Sequence, residues 1–188
     1  MASELQVTTL RGVPSGANAN QIIIPSDQTL AAPGHIIQVQ SGVKRDAMAH
    51  TGATWTDIGL SVTITPKQSN SHITIDAAIA IVSDETSISS LRMLRDTTVV
   101  LPDNPTSPGS RTAAMYDNYQ PSNGYGIKSN GFTFVDTARP AGTTAITYKF
   151  QVRSHGNGYT FINRSSTDND ASNFARSTSH IRVMEIAQ

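Results

Sequence analysis

From residue 35 onward, apolar and polar positions alternate in repeated runs, the pattern of strands with one buried and one solvent face. Ile58, Leu60, Val62 and Ile64 alternate with Gly59, Ser61 and Thr63, and Pro66 closes the run. After the polar stretch of residues 67–71, Ile73, Ile75, Ala77, Ile79 and Ile81 share one face, with Thr74, Asp76, Ala78 and Ala80 on the other. Their proximity along the chain predicts that the two runs form a long antiparallel pair. Tyr148, Phe150 and Val152 alternate again, and the His155-Gly156-Asn157-Gly158 segment before Tyr159 and Phe161 carries the Asn-Gly signal of a hairpin. Further strands are expected at residues 35–40, 91–100, 132–137 and 180–187, with a short one around 111–115. The closing strand breaks simple alternation. Ile181 and Val183 point one way and Met184 and Ile186 the other, so both faces ask for cover, through a bulge or a partner subunit.

No segment of useful length has helical spacing. About eight strands at this spacing predict an all-β fold, an antiparallel β-sandwich of jelly-roll-like type. Residues 1–33 read differently. Scattered apolar residues, then Ile22, Ile23, Ile24 and Leu30 among Asn- and Pro-containing stretches, describe an extended N-terminal arm that cannot bury itself. The expected organisation is an arm over residues 1–33, for docking or oligomerisation, and a β-sandwich domain over 34–188.

Composition narrows the chemistry. Charged residues make up 15% of the 188 positions, below the roughly 25% of an ordinary domain, so the surface is neutral and polar. Fourteen basic residues balance fourteen acidic ones, which leaves no field to gather nucleic acid and little repulsion against self-association. The absence of cysteine excludes disulfides, zinc-thiolate sites and thiol catalysis. The opening residues carry no basic segment followed by an apolar run, and no stretch of about eighteen apolar residues occurs, so synthesis in the cytoplasm without membrane insertion is expected.

Candidate sites are few. Five histidines lack helical metal spacing, no nucleophile elbow or phosphate loop is present, and no cofactor or catalytic residue is expected. Residues 165–173 include Asp168 and Asp170 among amide and hydroxyl side chains, a weak calcium candidate set against a polar turn capped by its own side chains. Asn163 begins an Asn-x-Ser sequon, read as a chance match. Arg92 and Arg95 stand beside Asp96 and read either as an anion site or, preferably, as partners of a carboxylate across the sheet or a subunit boundary. Trp55 reads as an anchor at the core edge. Tyr116, Tyr119 and Tyr125, in a long loop region, are the candidates for contact with a host-surface glycan or protein.

With those residues in view the chain resembles a family of marine, cyanophage-type phage proteins described as structural or fibre-like. The resemblance runs through Ser3-Glu4-Leu5-Gln6-Val7, Gly12-Val13-Pro14, residues 24–30, 33–39, 55–66 and 91–96, Gly109-Ser110-Arg111-Thr112, and residues 147–153, 161–164 and 181–187. It implies a virion component with a jelly-roll-like head, a homotrimer, attached to other virion proteins of tail, portal or capsid, and it carries over no catalytic residue. On this reading Ile22, Ile23, Ile24, Leu30, Met184 and Ile186 make the docking and oligomer contacts. The expected function is a trimeric tail-fibre or appendage protein. A capsid decoration or cement protein is the alternative, and a free-standing carbohydrate-binding module a third.

Overall fold

The computed structural model describes residues 9–12, 15–17, 19, 21–24, 30, 32–84, 87–103, 109–119 and 126–188, and every regular element among them is a β-strand. Eleven strands form: β1 (Ile36–Lys44), β2 (Met48–Thr51), β3 (Thr56–Ile64), β4 (His72–Ser83), β5 (Ile88–Arg95), β6 (Thr98–Leu101), β7 (Tyr116–Tyr119), β8 (Lys128–Asp136), β9 (Ile146–Ser154), β10 (Tyr159–Ile162) and β11 (Ser179–Ile186). They make two antiparallel sheets. The first contains β1, β2, β4, β8, β10 and β11; the second contains β3, β5, β6, β7 and β9.

Three pairs of strands lie in line. β10 and β11 share the edge of β4 opposite β8, because Ile81 pairs with both Ile162 and Lys128 while Ala78 pairs with both His180 and Gly131. β1 and β2 flank that composite strand in turn. β6 and β7 likewise share the edge of β5 opposite β9. Eleven segments therefore fill eight strand courses. Numbered along the chain, the courses run 1-8-3-6 in the first sheet and 2-7-4-5 in the second, the paired Greek keys of a jelly roll.

This order corrects two expectations. β3 and β4 are not paired: β3 lies beside β9 in the second sheet, and β4 sits at the centre of the first. Nor is residues 155–158 a hairpin loop, since β9 and β10 lie in different sheets and the turn carries the chain across the core. The physical reason is common to both. Alternation says which face of a strand is buried, and stacking two such faces across a core satisfies it as well as placing the strands side by side. A true hairpin does join β5 to β6, turning at Asp96 with a positive φ of 52°. Residues 111–115, expected as a short strand, form none; the strand of this region is Tyr116–Tyr119.

Ile58, Leu60, Val62 and Ile64 face Ile73, Ile75, Ile79 and Ile81 across the sandwich, with Leu91, Met93, Tyr148, Phe150, Ile181 and Val183 completing the core. Gly59, at a φ of 77°, lies where the β3–β9 register shifts, a bulge that L side chains resist. Where β1 crosses β3 the backbones touch. A Cβ on Gly42 would sit 2.3 Å from the Ser61 carbonyl oxygen, so only glycine closes this edge of the sandwich.

Candidate docking surfaces

On the outer face of the first sheet, register places Val39, Met184, Thr74 and Val135 in one row across β1, β11, β4 and β8. Val39 and Val135 at its ends are 48% and 45% exposed. Ile36 and Ile186 pair beside this row, and Val43 lies further along β1. Met184 and Ile186 thus point outward, half-buried, as their spacing foretold. No bulge in β11 is needed: its register with β4 is unbroken, and the inward series continues from Val183 to Glu185, a glutamate with no solvent exposure. The next row is polar. The Arg182 guanidinium, 2.8 Å from the Asp76 carboxylate, and the Thr133 hydroxyl hold Asp76 below the usual carboxylate range.

The arm leaves the sandwich beside this surface. Gly34 N–H donates to the Ala187 carbonyl and Ala187 N–H to that of His35. Further back, Ile22, Ile23 and Ile24 are 49%, 56% and 42% exposed and Leu30 is 55% exposed, so these four apolar side chains keep about half of their surface open.

The three tyrosines do not make one cluster. Tyr116 pairs with core residue Leu91 and packs against the core, where burial pushes its phenol pKa up. Tyr119 pairs with Ile88, and both are exposed on the opposite face of the strand; Tyr125 lies outside the described residues. Alternation along a four-residue strand separates side chains three apart. A different aromatic pair went unread in the sequence: Tyr159 and Phe161 stack with centroids 5.9 Å apart, and Arg164 covers Phe161 at 4.7 Å.

The Asp168 loop turns out to be an insertion between the in-line strands β10 and β11. Asp168 accepts from Arg176 at 2.6 Å and lies 3.3 Å from Arg164, so two guanidiniums already neutralise the carboxylate that a cation would use. Asp170 lines the same shallow hollow of about 290 Å³, and no group of three metal-capable residues occurs among the described residues. Asn163 holds the insertion in place. At a φ of 61°, it donates through Nδ2 to the carbonyls of Lys44 and Asp46, where β1 breaks into β2, and accepts from Ser179 at the start of β11. Both strand breaks are tied by this one buried amide. Read as a chance sequon, it left no signal of that role, because its partners are distant in sequence.

Polar groups also bridge the two sheets at both ends of the core. At one end Arg95 donates to both oxygens of buried Asp136 at 2.7 Å, the cross-sheet pairing expected of the arginines, and Tyr148 donates to the same carboxylate at 2.8 Å. Beside them Glu185 accepts from the Ser71 hydroxyl, the Lys67 and Gln68 amides and Gln38. Burial alone would raise its pKa, but these hydrogen bonds outweigh burial and hold it below the usual value. Arg139 clasps the same crossover through Ser71 and the Gln68 carbonyl. At the other end the buried bridges are neutral, Ser89 to Thr160 at 2.5 Å and Asn118 to Ser83 at 3.4 Å, and the exposed Lys128 ammonium adds a bond to Asn118 Oδ1 at 3.3 Å. Ser90 meets His155 Nε2 at 3.0 Å, but its hydroxyl lies on a residue with no solvent exposure.

On the outer face of the second sheet, Arg92 does not meet a carboxylate. It donates twice to Gln151 Oε1 and lies over the Trp55 ring at 4.4 Å. Trp55 is thus not the core-edge anchor expected: it is absent from the core cluster and lies against guanidiniums on the outer face.

No protein-family model and no curated protein matches this chain.

Proposed function

We propose that the chain is a non-enzymatic structural protein of a bacteriophage particle, a trimeric tail-fibre or appendage protein attached by its N-terminal arm. The observation that carries this reading is the coexistence of two uncovered apolar surfaces in one chain. One is the arm triplet Ile22, Ile23 and Ile24; the other is the row in which exposed Val39 and Val135 flank half-buried Met184 and the polar Thr74, with exposed Ile36 and half-buried Ile186 beside it. Isolated apolar side chains on a surface need no partner, but a group of them beside the root of a segment with its own exposed apolar triplet marks a docking surface. About eleven residues separate the triplet from the first strand, enough to reach roughly 35 Å when extended, against a row roughly 14 Å wide. The arm can therefore span from one copy to another or to a neighbouring particle protein. A jelly roll is an architecture shared by viral capsid and lectin domains, which fits the resemblance but cannot by itself assign a function.

Deleting residues 1–33 tests the reading. The sandwich is expected to stay folded, because its described core lies wholly within residues 58–187, and to be missing from assembled particles. Incorporation at the full-length level overturns the arm's role. Light scattering is expected to give three times the chain mass, and imaging of the particle separates an appendage from a capsid decoration protein by location and symmetry.

A further inference from the structure

Arg153 is the least explained charge in the fold. It projects from β9 on the outer face of the second sheet, opposite Ser90 in register. Among the described residues it makes no hydrogen bond and no ion pair, and its Nε is buried without a partner. The Trp55 ring lies 5.8 Å from its Cζ. Arg92 lies against the same ring at 4.4 Å, so two guanidiniums share one indole.

The surrounding groups neutralise them only in part. Asp57 accepts from Gln151 at 2.5 Å and from Lys149 at 2.8 Å, so both its oxygens are engaged. Gln151 spends its own Oε1 on Arg92, which fixes that side chain in place. Ser90 is occupied with His155, and the next carboxylate in that row, Asp117, stands beyond Ser90 on β7. Burial lowers the pKa of Arg92; Asp57 opposes that shift and the neighbouring charge of Arg153 adds to it. An indole face attracts a cation but accepts none of its N–H bonds in the way an oxygen does. Buried donors without acceptors are rare enough to ask what completes them. Planar guanidinium forks match the oxygens of carboxylate and sulfate groups.

We propose that Arg92 and Arg153, held against Trp55, form a binding site for an oxyanion, the carboxylate or sulfate group of a free small anion or of an acidic saccharide. Arg92 is the prepositioned half, anchored through Gln151. Arg153 supplies the donors that the fold leaves unused.

Trp55 is the only tryptophan in the chain, so fluorescence excited selectively at tryptophan, away from the five tyrosines, reads this site. The full-length protein is titrated with sodium sulfate, sodium glucuronate and neutral glucose, at ionic strength held constant with chloride, following both fluorescence and the thermal midpoint. Saturable changes with sulfate and glucuronate, accompanied by a rise in midpoint, are expected. Arg153→Gln is expected to weaken both at least tenfold while its midpoint without added anion stays close to that of the parent, since Arg153 has only its contact with the Trp55 ring, and no hydrogen bond or ion pair among the described residues, to lose. Equal responses to the two anions assign the site to the oxyanion alone, and tighter binding of glucuronate extends it to the sugar. The proposal is overturned if neither anion gives a saturable response, if Arg153→Gln titrates like the parent, if that variant is strongly destabilised without ligand, or if glucose binds as well as glucuronate.

Discussion

The two ends of the sandwich solve one problem with different chemistry. At both, polar side chains must enter the space between the sheets where the hydrophobic core runs out. One end uses ions: Asp136 with Arg95 and Tyr148, and Glu185 with Ser71, beside Arg139. The other buries only neutral groups, with Ser89 on Thr160, Ser87 on Ser154, and Asn118 on Ser83, and its charged donor, Lys128 on Asn118, stays exposed. An ionic bridge gives more when intact and costs more when broken, because a stranded buried charge has no cheap refuge. A hydroxyl pair contributes less and can be replaced by apolar groups of the same shape with little loss. The fold should therefore be brittle and pH-sensitive at one end, and tolerant and pH-indifferent at the other.

The largest effect is expected from Asp136→Ala, which strands Arg95 and the Tyr148 hydroxyl; a loss of about 3–5 kcal/mol, measured by urea unfolding, is the magnitude for breaking such a pair. A loss as small as that of an exposed ion pair would show that the two ends do not differ.

Acid comes next. Because the Glu185 pKa is lowered by folding, its contribution is complete above the unfolded value near 4.3 and is lost as pH falls through the lower folded value. Glu185→Gln is expected to cost roughly 2 kcal/mol at neutral pH and to flatten the acid limb of the thermal midpoint plotted against pH. An unchanged acid limb would assign that limb to the exposed carboxylates instead. Tyr148 acts in the opposite direction. Burial, with the Asp136 charge beside it, raises its pKa, so its share of stability is complete below about pH 10 and is lost as pH rises beyond that.

The smallest effect is expected at the neutral end. Ser89→Ala leaves the buried Thr160 hydroxyl alone and is expected to cost about 1 kcal/mol, while adding Thr160→Val should return stability close to the parent value. Neither variant should alter the pH profile. A double variant much worse than the single one would show that this end also depends on its hydroxyl bond.

Much of this was legible in the sequence, and unevenly so. The inward faces of β3, β4 and β9 follow directly from alternation, and the outward direction of Met184 and Ile186 was read correctly. The pairing of Arg95 with a carboxylate across the sheets was anticipated as a type, though its partner Asp136 was not. The split of Tyr116 from Tyr119 was available in their spacing once a strand was placed there. Glu185 was missed because a glutamate in an alternating run reads as a solvent position. Asn163 and Arg153 gave no local signal at all.

By itself the sequence determined that the chain forms strands and which side chains most of those strands bury, because periodicity and turn chemistry act over a few residues. Only the tertiary structure decided which strand lies beside which, that β10 and β11 are one interrupted strand locked by Asn163, and that two arginines share Trp55. Those relations join residues far apart along the chain. No short-range pattern records them, since an alternating strand is equally satisfied by any partner that offers it a ladder and a core.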